Sequence, residues 1–169
     1  AYPIEAVQMM DRIACSVEND PLYHSIIEAQ RSTPERTTPD AIMAAVHEIT
    51  ETIDAKAIIT WTKSGITAMR AARERSRAPI IAPTPDIATA RRLCLVWGTH
   101  SVATEDIRDF DDMVRRAAQI ARQEGFAEPG ERIVMIIGAG HLPLLRFLAL
   151  ASPEYRVAEL SRYLASPGR

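Results

Sequence analysis

The sequence has few of the residues that cross-link a chain or hold a metal ion. Its two cysteines, Cys15 and Cys94, do not form a Cys-x-x-Cys pattern, so neither a disulfide scaffold nor a zinc ribbon is expected. A reducing, cytoplasmic environment is the default for such a chain, and both thiols are predicted to be buried and inert. His47 and Glu48 are followed by Glu51 rather than by the second histidine of a zinc-binding helix. We therefore predict no metal site.

Lysines and long apolar segments are also scarce. Lys56 and Lys63 are the only lysines, and the formal net charge of −2 argues against a strongly basic nucleic-acid-binding protein. No apolar run approaches the ~20 residues that a membrane-spanning helix needs. The 169 residues, 47% of them hydrophobic, have the composition of one soluble globular domain. Neither nucleic acid nor a membrane is therefore expected as a partner.

Two helices are predicted before the first strand. The first begins at Pro3, and its apolar residues recur at helical spacing at Ile4, Val7, Met10, Ile13 and Val17. The second begins at Thr38-Pro39-Asp40 and has an apolar stripe formed by Ile42, Ala45, Val46, Ile49 and Ile53. Residues 21–37 are predicted to form a long connection between these helices.

Beyond residue 56, apolar β-branched segments alternate with segments of helical character. The predicted strands are 57–61, 79–82, 101–103, 133–137 and 155–158, and the helices between them are 66–75, 86–96, 110–124 and 142–151. This alternation predicts an α/β fold with three layers (α/β/α) and a doubly wound, mainly parallel five-stranded sheet. The expected strand order is 3-2-1-4-5, with the two leading helices in front.

Doubly wound sheets bind ligands beyond the carboxyl ends of their strands, at the point where the strand order reverses. In the predicted order, that point lies between the first and fourth strands. Two loops would face each other there. One is the turn of Thr62, Lys63, Ser64, Gly65, Ile66 and Thr67, and the other contains Gly138, Gly140 and His141.

The turn at 62–67 has the composition of a phosphate-binding site. Where a strand leads into a helix, the first amide groups of the helix have no partner, and the helix dipole adds about half a positive charge. Gly65 lets a ligand approach the backbone, Lys63 supplies a cation, and hydroxyl groups come from Thr62, Ser64 and Thr67. Serine, threonine and glycine also cap helices without any ligand, so a purely structural turn is the alternative.

Other charged and aromatic residues have simpler interpretations. Four arginines form either a solvated face or a cluster that reaches an anionic ligand: Arg70, Arg73, Arg75 and Arg77. Arg115 and Arg116 are weaker candidates for contact with a second phosphate. Trp61 and Trp97 are expected to pack in the core. His141 could contact an anion or act as a base, but a helix-start histidine satisfied by backbone or water is the simpler interpretation.

Seven short motifs occur in an order and spacing that is specific as a set. They are Tyr2-Pro3-Ile4-Glu5-Ala6-Val7, Ala55-Lys56-Ala57-Ile58-Ile59, Thr62-Lys63-Ser64-Gly65-Ile66-Thr67, Ala78-Pro79-Ile80-Ile81-Ala82, Thr89-Ala90-Arg91-Arg92-Leu93, Leu95-Val96-Trp97-Gly98 and Glu128-Pro129-Gly130-Glu131-Arg132-Ile133-Val134. Together they resemble the C-terminal domain of pyruvate kinase, in a version close to that of α-proteobacteria. The resemblance covers about residues 1–137.

The resemblance implies a regulatory role in glycolysis. In that family a barrel domain, absent here, transfers the phosphoryl group from phosphoenolpyruvate to ADP with Mg²⁺ and K⁺. This chain alone is therefore expected to have no catalytic residue and no cofactor. The family's C-terminal domain carries the allosteric effector site and part of the oligomer interface. The resemblance therefore implies a sugar phosphate or nucleotide monophosphate as effector, and further copies of the chain as candidate partners.

The family's effector turn, Thr-x-Ser-Gly-x-Ser/Thr, corresponds to Thr62, Ser64, Gly65 and Thr67, and Lys63 matches some members. Ile66 stands where arginine is common, so one positive charge is lost. Residues 138–169 depart from the family and predict a closing β-α-β unit, either divergent or fused. Two alternatives therefore stay open. One is an engineered or chimeric scaffold without a ligand, and the other is a small stand-alone phosphometabolite-binding protein or enzyme that uses His141.

Overall fold

The structure is a computed structural model that describes residues 2–31 and 33–137. Within them the elements are α1 (Pro3–Glu18), α2 (Pro21–Ala29), α3 (Thr38–Thr52), β1 (Ala57–Trp61), α4 (Ile66–Arg73), β2 (Ile80–Thr84), α5 (Ile87–Leu93), β3 (Thr99–Ala103), α6 (Phe110–Gln123) and β4 (Ile133–Ile137). No helix in this described part is both long and apolar enough to cross a membrane. The chain divides after Glu35 into two compact units.

The first unit contains α1 and α2, and each begins with a proline. In α2 the carboxylate of Asp20 accepts a hydrogen bond from the Leu22 N–H at 2.8 Å, which satisfies one unpaired amide group of the helix start. The prediction of a long connection over 21–37 is therefore wrong for residues 21–29, because Asp20-Pro21, which follows the end of α1, also starts α2. Among the residues that the structure describes, three helices, not two, precede the first strand.

Both cysteine side chains are exposed, so the prediction of buried thiols is wrong for Cys15 and Cys94. Cys15 lies on α1, whose apolar residues, among them Val7 and Met10, are also exposed. Cys94 is the C-cap of α5, where the chain leaves the helix. Apolar neighbours in the sequence do not bury a thiol when the helix face that carries it is uncovered.

The second unit is built on a parallel sheet in the order β3-β2-β1-β4. β1 is central, with Ile58 opposite Ile80 on one side and Val134 on the other. The order of these four strands agrees with the predicted order. The predicted fifth strand at 155–158 and the helix at 142–151 lie outside the described residues.

Alternate residues of β1 face two different layers of helices. Ile59 and Trp61 pack with Met113 of α6 on one face. Ile58 packs with Ala71 of α4 on the opposite face. Every residue of β1 is buried, which explains the continuous apolar run that predicted this strand. The core position predicted for Trp61 is confirmed.

The face that α3 turns towards the core differs from the predicted stripe. Met43, His47 and Thr50 are buried, whereas Ile42 and Ile49 are 47% and 48% exposed. The two polar side chains are tolerated inside because both have partners: His47 Nδ1 lies 2.9 Å from Ser76 Oγ, and Thr50 Oγ1 donates to the Val46 carbonyl at 2.7 Å. Of the predicted stripe, Val46 does pack against the core beside Met43, and hydrogen bonding allows polar side chains to share this inward face.

Candidate functional site

A tight turn connects the central strand β1 to α4. Gly65 is the N-cap of α4, and its φ of +86° lies in the left-handed region that favours glycine. The Gly65 N–H donates a hydrogen bond to Thr62 Oγ1 at 2.9 Å. Thr62 is in turn fixed to β2, because its N–H donates to the Pro83 carbonyl at 3.2 Å. Thr62 is therefore the side chain that shapes the turn.

The start of α4 leaves its first amide groups available. The Gly65 carbonyl accepts the first helical hydrogen bond, from the Met69 N–H at 3.0 Å. The amide groups of Ile66, Thr67 and Ala68 have no acceptor among the described residues, and no side chain caps this helix. Such groups, together with the positive end of the helix dipole, favour an anion.

Arg92 of α5 lies against this turn. Its Nη2 donates to the Ser64 carbonyl at 2.9 Å and to Thr89 Oγ1 at 3.1 Å. A Cβ placed on Gly65 would lie 3.2 Å from Leu93 Cδ2, which shows how closely the turn packs on α5. Sequence reasoning missed Arg92 as a site residue. The signal available was the three-residue spacing from Thr89, which puts both side chains on one helix face.

The N-terminus of α5 is held by Asp86. The Asp86 carboxylate accepts hydrogen bonds from the Thr89 hydroxyl at 2.7 Å and from the Ala88 N–H at 3.0 Å. The bond from the Thr89 hydroxyl is the main cause that holds the pKa of Asp86 below its usual range, and the Ala88 amide adds to it. The charged form of Asp86 therefore keeps Thr89 in the position where it meets Arg92.

The turn sits where the strand order reverses. β2 and β3 lie on one side of β1 and β4 lies on the other, and Trp61 pairs with Ile137 at the carboxyl ends of β1 and β4. Lys63 and Ser64 are exposed at this edge, Thr67 is half-buried and Gly65 is buried. The facing loop predicted at Gly138, Gly140 and His141 lies outside the described residues.

Three of the four arginines at 70–77 have structural partners elsewhere. The Arg73 guanidinium lies 4.0 Å from the Asp40 carboxylate, and the Arg77 guanidinium lies 3.5 Å from the Glu51 carboxylate. Arg75 stacks on the ring of Trp97. These three arginines lie at or beyond the last residue of α4, at the end opposite the turn. The structure therefore does not bring these three arginines to the candidate site.

Arg115 and Arg116 are also engaged in a structural cluster. Both donate to the buried carboxylate of Asp112, at 2.6 and 3.0 Å, and the Arg108 N–H donates to it at 3.2 Å. Burial raises the pKa of Asp112, but the hydrogen bonds from Arg108, Arg115 and Arg116 outweigh it and leave the pKa lowered. The cluster fixes the first turns of α6.

The two lysines have different surroundings. Lys56 Nζ lies 2.7 Å from the Asp54 carboxylate, and this contact lowers the pKa of Asp54 and raises that of Lys56. Lys63 is exposed beside the turn. No group of three or more metal-ligating side chains in the described residues is arranged to hold a metal ion.

Comparison with known proteins identifies relatives over most of the chain. The family model "Pyruvate kinase, alpha/beta domain" matches residues 40–142. The pyruvate kinase of Methylorubrum extorquens is 50% identical over 137 residues, covering 81% of this chain and 29% of the relative. A pyruvate kinase of Agrobacterium vitis is 37% identical over 138 residues, covering 82% of this chain and 29% of the relative.

Solved structures give the same result. A crystal structure of a pyruvate kinase from Cryptosporidium parvum superposes with a TM-score of 0.75 at 28% identity, over 83% of this chain and 29% of that one. A complex of Cryptosporidium parvum pyruvate kinase with ADP gives 0.67 at 28% identity, over 80% and 27% of the two chains. The present chain thus spans less than a third of the length of these relatives. The resemblance indicated by the seven motifs is confirmed.

Proposed function

We propose that this chain, which belongs to the pyruvate kinase family and contains that family's C-terminal α/β domain, binds a phosphorylated effector at the turn 62–67. The observation that carries the proposal is the start of α4, where the amide groups of Ile66, Thr67 and Ala68 have no acceptor among the described residues. A phosphate monoester is matched by such amides together with nearby hydroxyl and ammonium groups.

The residues of the turn contribute to phosphate binding in different ways. Ser64 and Thr67 supply hydroxyl donors, and Lys63 supplies a positive charge next to the amides. Gly65 gives the turn its left-handed backbone and, having no Cβ, lets it pack closely on α5. Thr62 acts indirectly, because its side chain is buried and its hydroxyl oxygen accepts the Gly65 N–H at 2.9 Å. This division refines the expectation that all three hydroxyl groups bind the ligand.

The effector class is a sugar phosphate or a nucleotide monophosphate, and its role is regulatory. An effector changes the activity of an oligomeric enzyme when it binds one arrangement of the subunits more tightly than another. The regulated reaction is the conversion of phosphoenolpyruvate and ADP to pyruvate and ATP. Within that regulation, we assign effector binding to this chain. The exposed apolar side chains of α1, such as Val7 and Met10, support a second role in contacts between subunits.

Titration of the full chain with a hexose phosphate and with AMP tests the binding site. Ser64→Ala and Lys63→Gln each remove a direct contact, so we expect the Kd to rise about tenfold in each case, equivalent to about 1.4 kcal/mol. Lys56→Gln is the matched control, because Lys56 is paired with Asp54 away from the turn. Its Kd should stay within about twofold of wild type, because the variant loses the same charge outside the turn, where solvent and salt screen it.

The same titration separates the alternatives. Absence of binding in wild type, or equal Kd values in wild type and Ser64→Ala, would overturn the proposal and favour a scaffold without a ligand. None of the comparisons supports a chimeric origin. A stand-alone enzyme would instead show turnover of a phosphorylated substrate that His141→Ala abolishes.

A further inference from the structure

One peptide unit of the turn is held from both sides. The Ser64 carbonyl oxygen accepts a hydrogen bond from Arg92 Nη2 at 2.9 Å, and the N–H of the same peptide unit, which belongs to Gly65, donates to Thr62 Oγ1 at 2.9 Å. A peptide unit is planar, so its C=O and N–H point in opposite directions. The two bonds therefore specify one orientation, and a rotation of the unit has to break both.

Arg92 is itself anchored in α5. The Nη2 that binds the Ser64 carbonyl also donates to Thr89 Oγ1 at 3.1 Å, and the Thr89 hydroxyl donates to the Asp86 carboxylate at 2.7 Å. Thr89 is 2% exposed, which fixes its hydroxyl in place. A continuous series of hydrogen bonds thus connects the start of α5 to the carbonyl of the turn.

We propose that Arg92 is a positioning residue of the turn, acting by fixing the Ser64–Gly65 peptide rather than by touching the ligand. This inference rests on the proposed phosphate site. While Arg92 holds the Ser64 carbonyl, the partial negative charge of the carbonyl oxygen is kept away from the amides of Ile66 and Thr67. A carbonyl free to rotate populates orientations that oppose an anion, and the apparent affinity falls by the fraction of competent molecules.

Amide hydrogen exchange and phosphate titration of the full chain test this role together. In Arg92→Gln we expect protection of the Gly65 amide to fall at least tenfold relative to the buried strand amide of Ile58. The Kd for inorganic phosphate should rise about tenfold. Arg91→Gln is the matched control, because Arg91 is the neighbouring exposed arginine of the same helix. This variant removes the same charge but keeps the hydrogen bond from Arg92 to the Ser64 carbonyl. The Gly65 protection and the phosphate Kd should therefore both match wild type.

A pair of variants at Thr89 separates positioning from the charge of Arg92. Thr89→Val removes the hydroxyl that anchors Arg92 without changing the net charge, and Thr89→Ser restores it. We expect Thr89→Val to lower Gly65 protection and to weaken phosphate binding at least threefold, and Thr89→Ser to recover both. If Arg92 acted only through its charge, the phosphate affinity of Thr89→Val would equal that of wild type.

The outcomes distinguish this inference from the function on which it rests. Wild-type protection of Gly65 in Arg92→Gln overturns the positioning role, and so does an equal phosphate Kd in wild type and Arg92→Gln. If wild type fails to bind phosphate while Arg92→Gln still loses Gly65 protection, the proposed function is overturned. Arg92 is then confirmed as the residue that fixes the peptide.

Discussion

The guanidinium carbon of Arg75 lies 4.4 Å from the centroid of the Trp97 ring. Arg75 follows Glu74, the C-cap of α4, and its φ of +54° is in the left-handed region. Glycine is the usual residue at this place after a helix, because a side chain there costs free energy. The stacking of Arg75 on Trp97 offsets part of that cost.

Substitutions at Arg75 should separate the contribution of the stacking from the cost of the left-handed backbone. Arg75→Ala loses the stacking and keeps the strained backbone, so we expect the free energy of unfolding to fall by about 0.5–1 kcal/mol. Arg75→Gly loses the same contact but relieves about 1 kcal/mol of backbone strain, so its stability should be close to wild type. Urea unfolding measures both. The interpretation is wrong if Arg75→Gly is less stable than Arg75→Ala.

Gly65 is constrained by its backbone and by its neighbours. In Gly65→Ala the φ of +86° costs about 1 kcal/mol, and a Cβ 3.2 Å from Leu93 Cδ2 adds about 1 kcal/mol or more. Gly125→Ala is the control, because Gly125 has a φ of +74° and nothing within 4 Å of the position that a Cβ would take. Urea unfolding should show the larger loss for Gly65→Ala. Equal losses would mean that contact with α5 adds nothing.

Thr60 and Thr50 are both buried but differ in hydrogen bonding. Thr60 Oγ1 has no partner among the described residues, whereas Thr50 Oγ1 donates to the Val46 carbonyl at 2.7 Å. Thr60→Val should therefore raise the free energy of unfolding by about 1 kcal/mol, and Thr50→Val should lower it by about 1 kcal/mol. Thermal unfolding gives the sign of each change. A loss of stability in Thr60→Val would show that its hydroxyl has a partner.

Asp112 should make stability depend on pH in the acid range. Its pKa is lowered in the folded state, so its contribution is present above the ordinary value of 3.8 and is lost as the pH falls below it. Asp112→Asn should therefore be less stable than wild type at pH 7, and the difference in Tm should shrink below pH 3.8. Asp111→Asn, at an exposed position in the same helix turn, is the control and should show a small difference at both pH values. A difference in Tm between wild type and Asp112→Asn that does not change with pH would contradict this explanation.

Much of the second unit is predictable from local pattern. β1 is a run of apolar and β-branched residues buried on both faces, and such a run has few alternatives to a central parallel strand. The right-handed rule for crossovers then limits the strand order, which is why β4 is expected beside β1. The turn at 62–67 can be placed at the edge where the order reverses for the same reason.

Other features depend on contacts that local pattern does not encode. The inward face of α3 is decided by partners distant in sequence, such as Ser76 for His47. Arg92 reaches Ser64 across two elements, so only the packing of α5 against the turn reveals it. Asp20-Pro21 misleads for a different reason. Asn19, the C-cap of α1, is followed directly by Asp20, the N-cap of α2. An Asp-Pro pair is typical both of the residues after a helix and of the start of the next one.

The pairing of β1 with strands on both sides has a consequence for synthesis on the ribosome. β2 and β3 emerge soon after β1, but Ile133 of β4, the partner of Ala57, emerges only after α6 has been made. Until then one edge of β1 is unpaired in the nascent polypeptide, and an apolar strand edge is prone to associate with other chains. Translation speed between β1 and β4 thus sets how long that edge stays unpaired in the nascent chain.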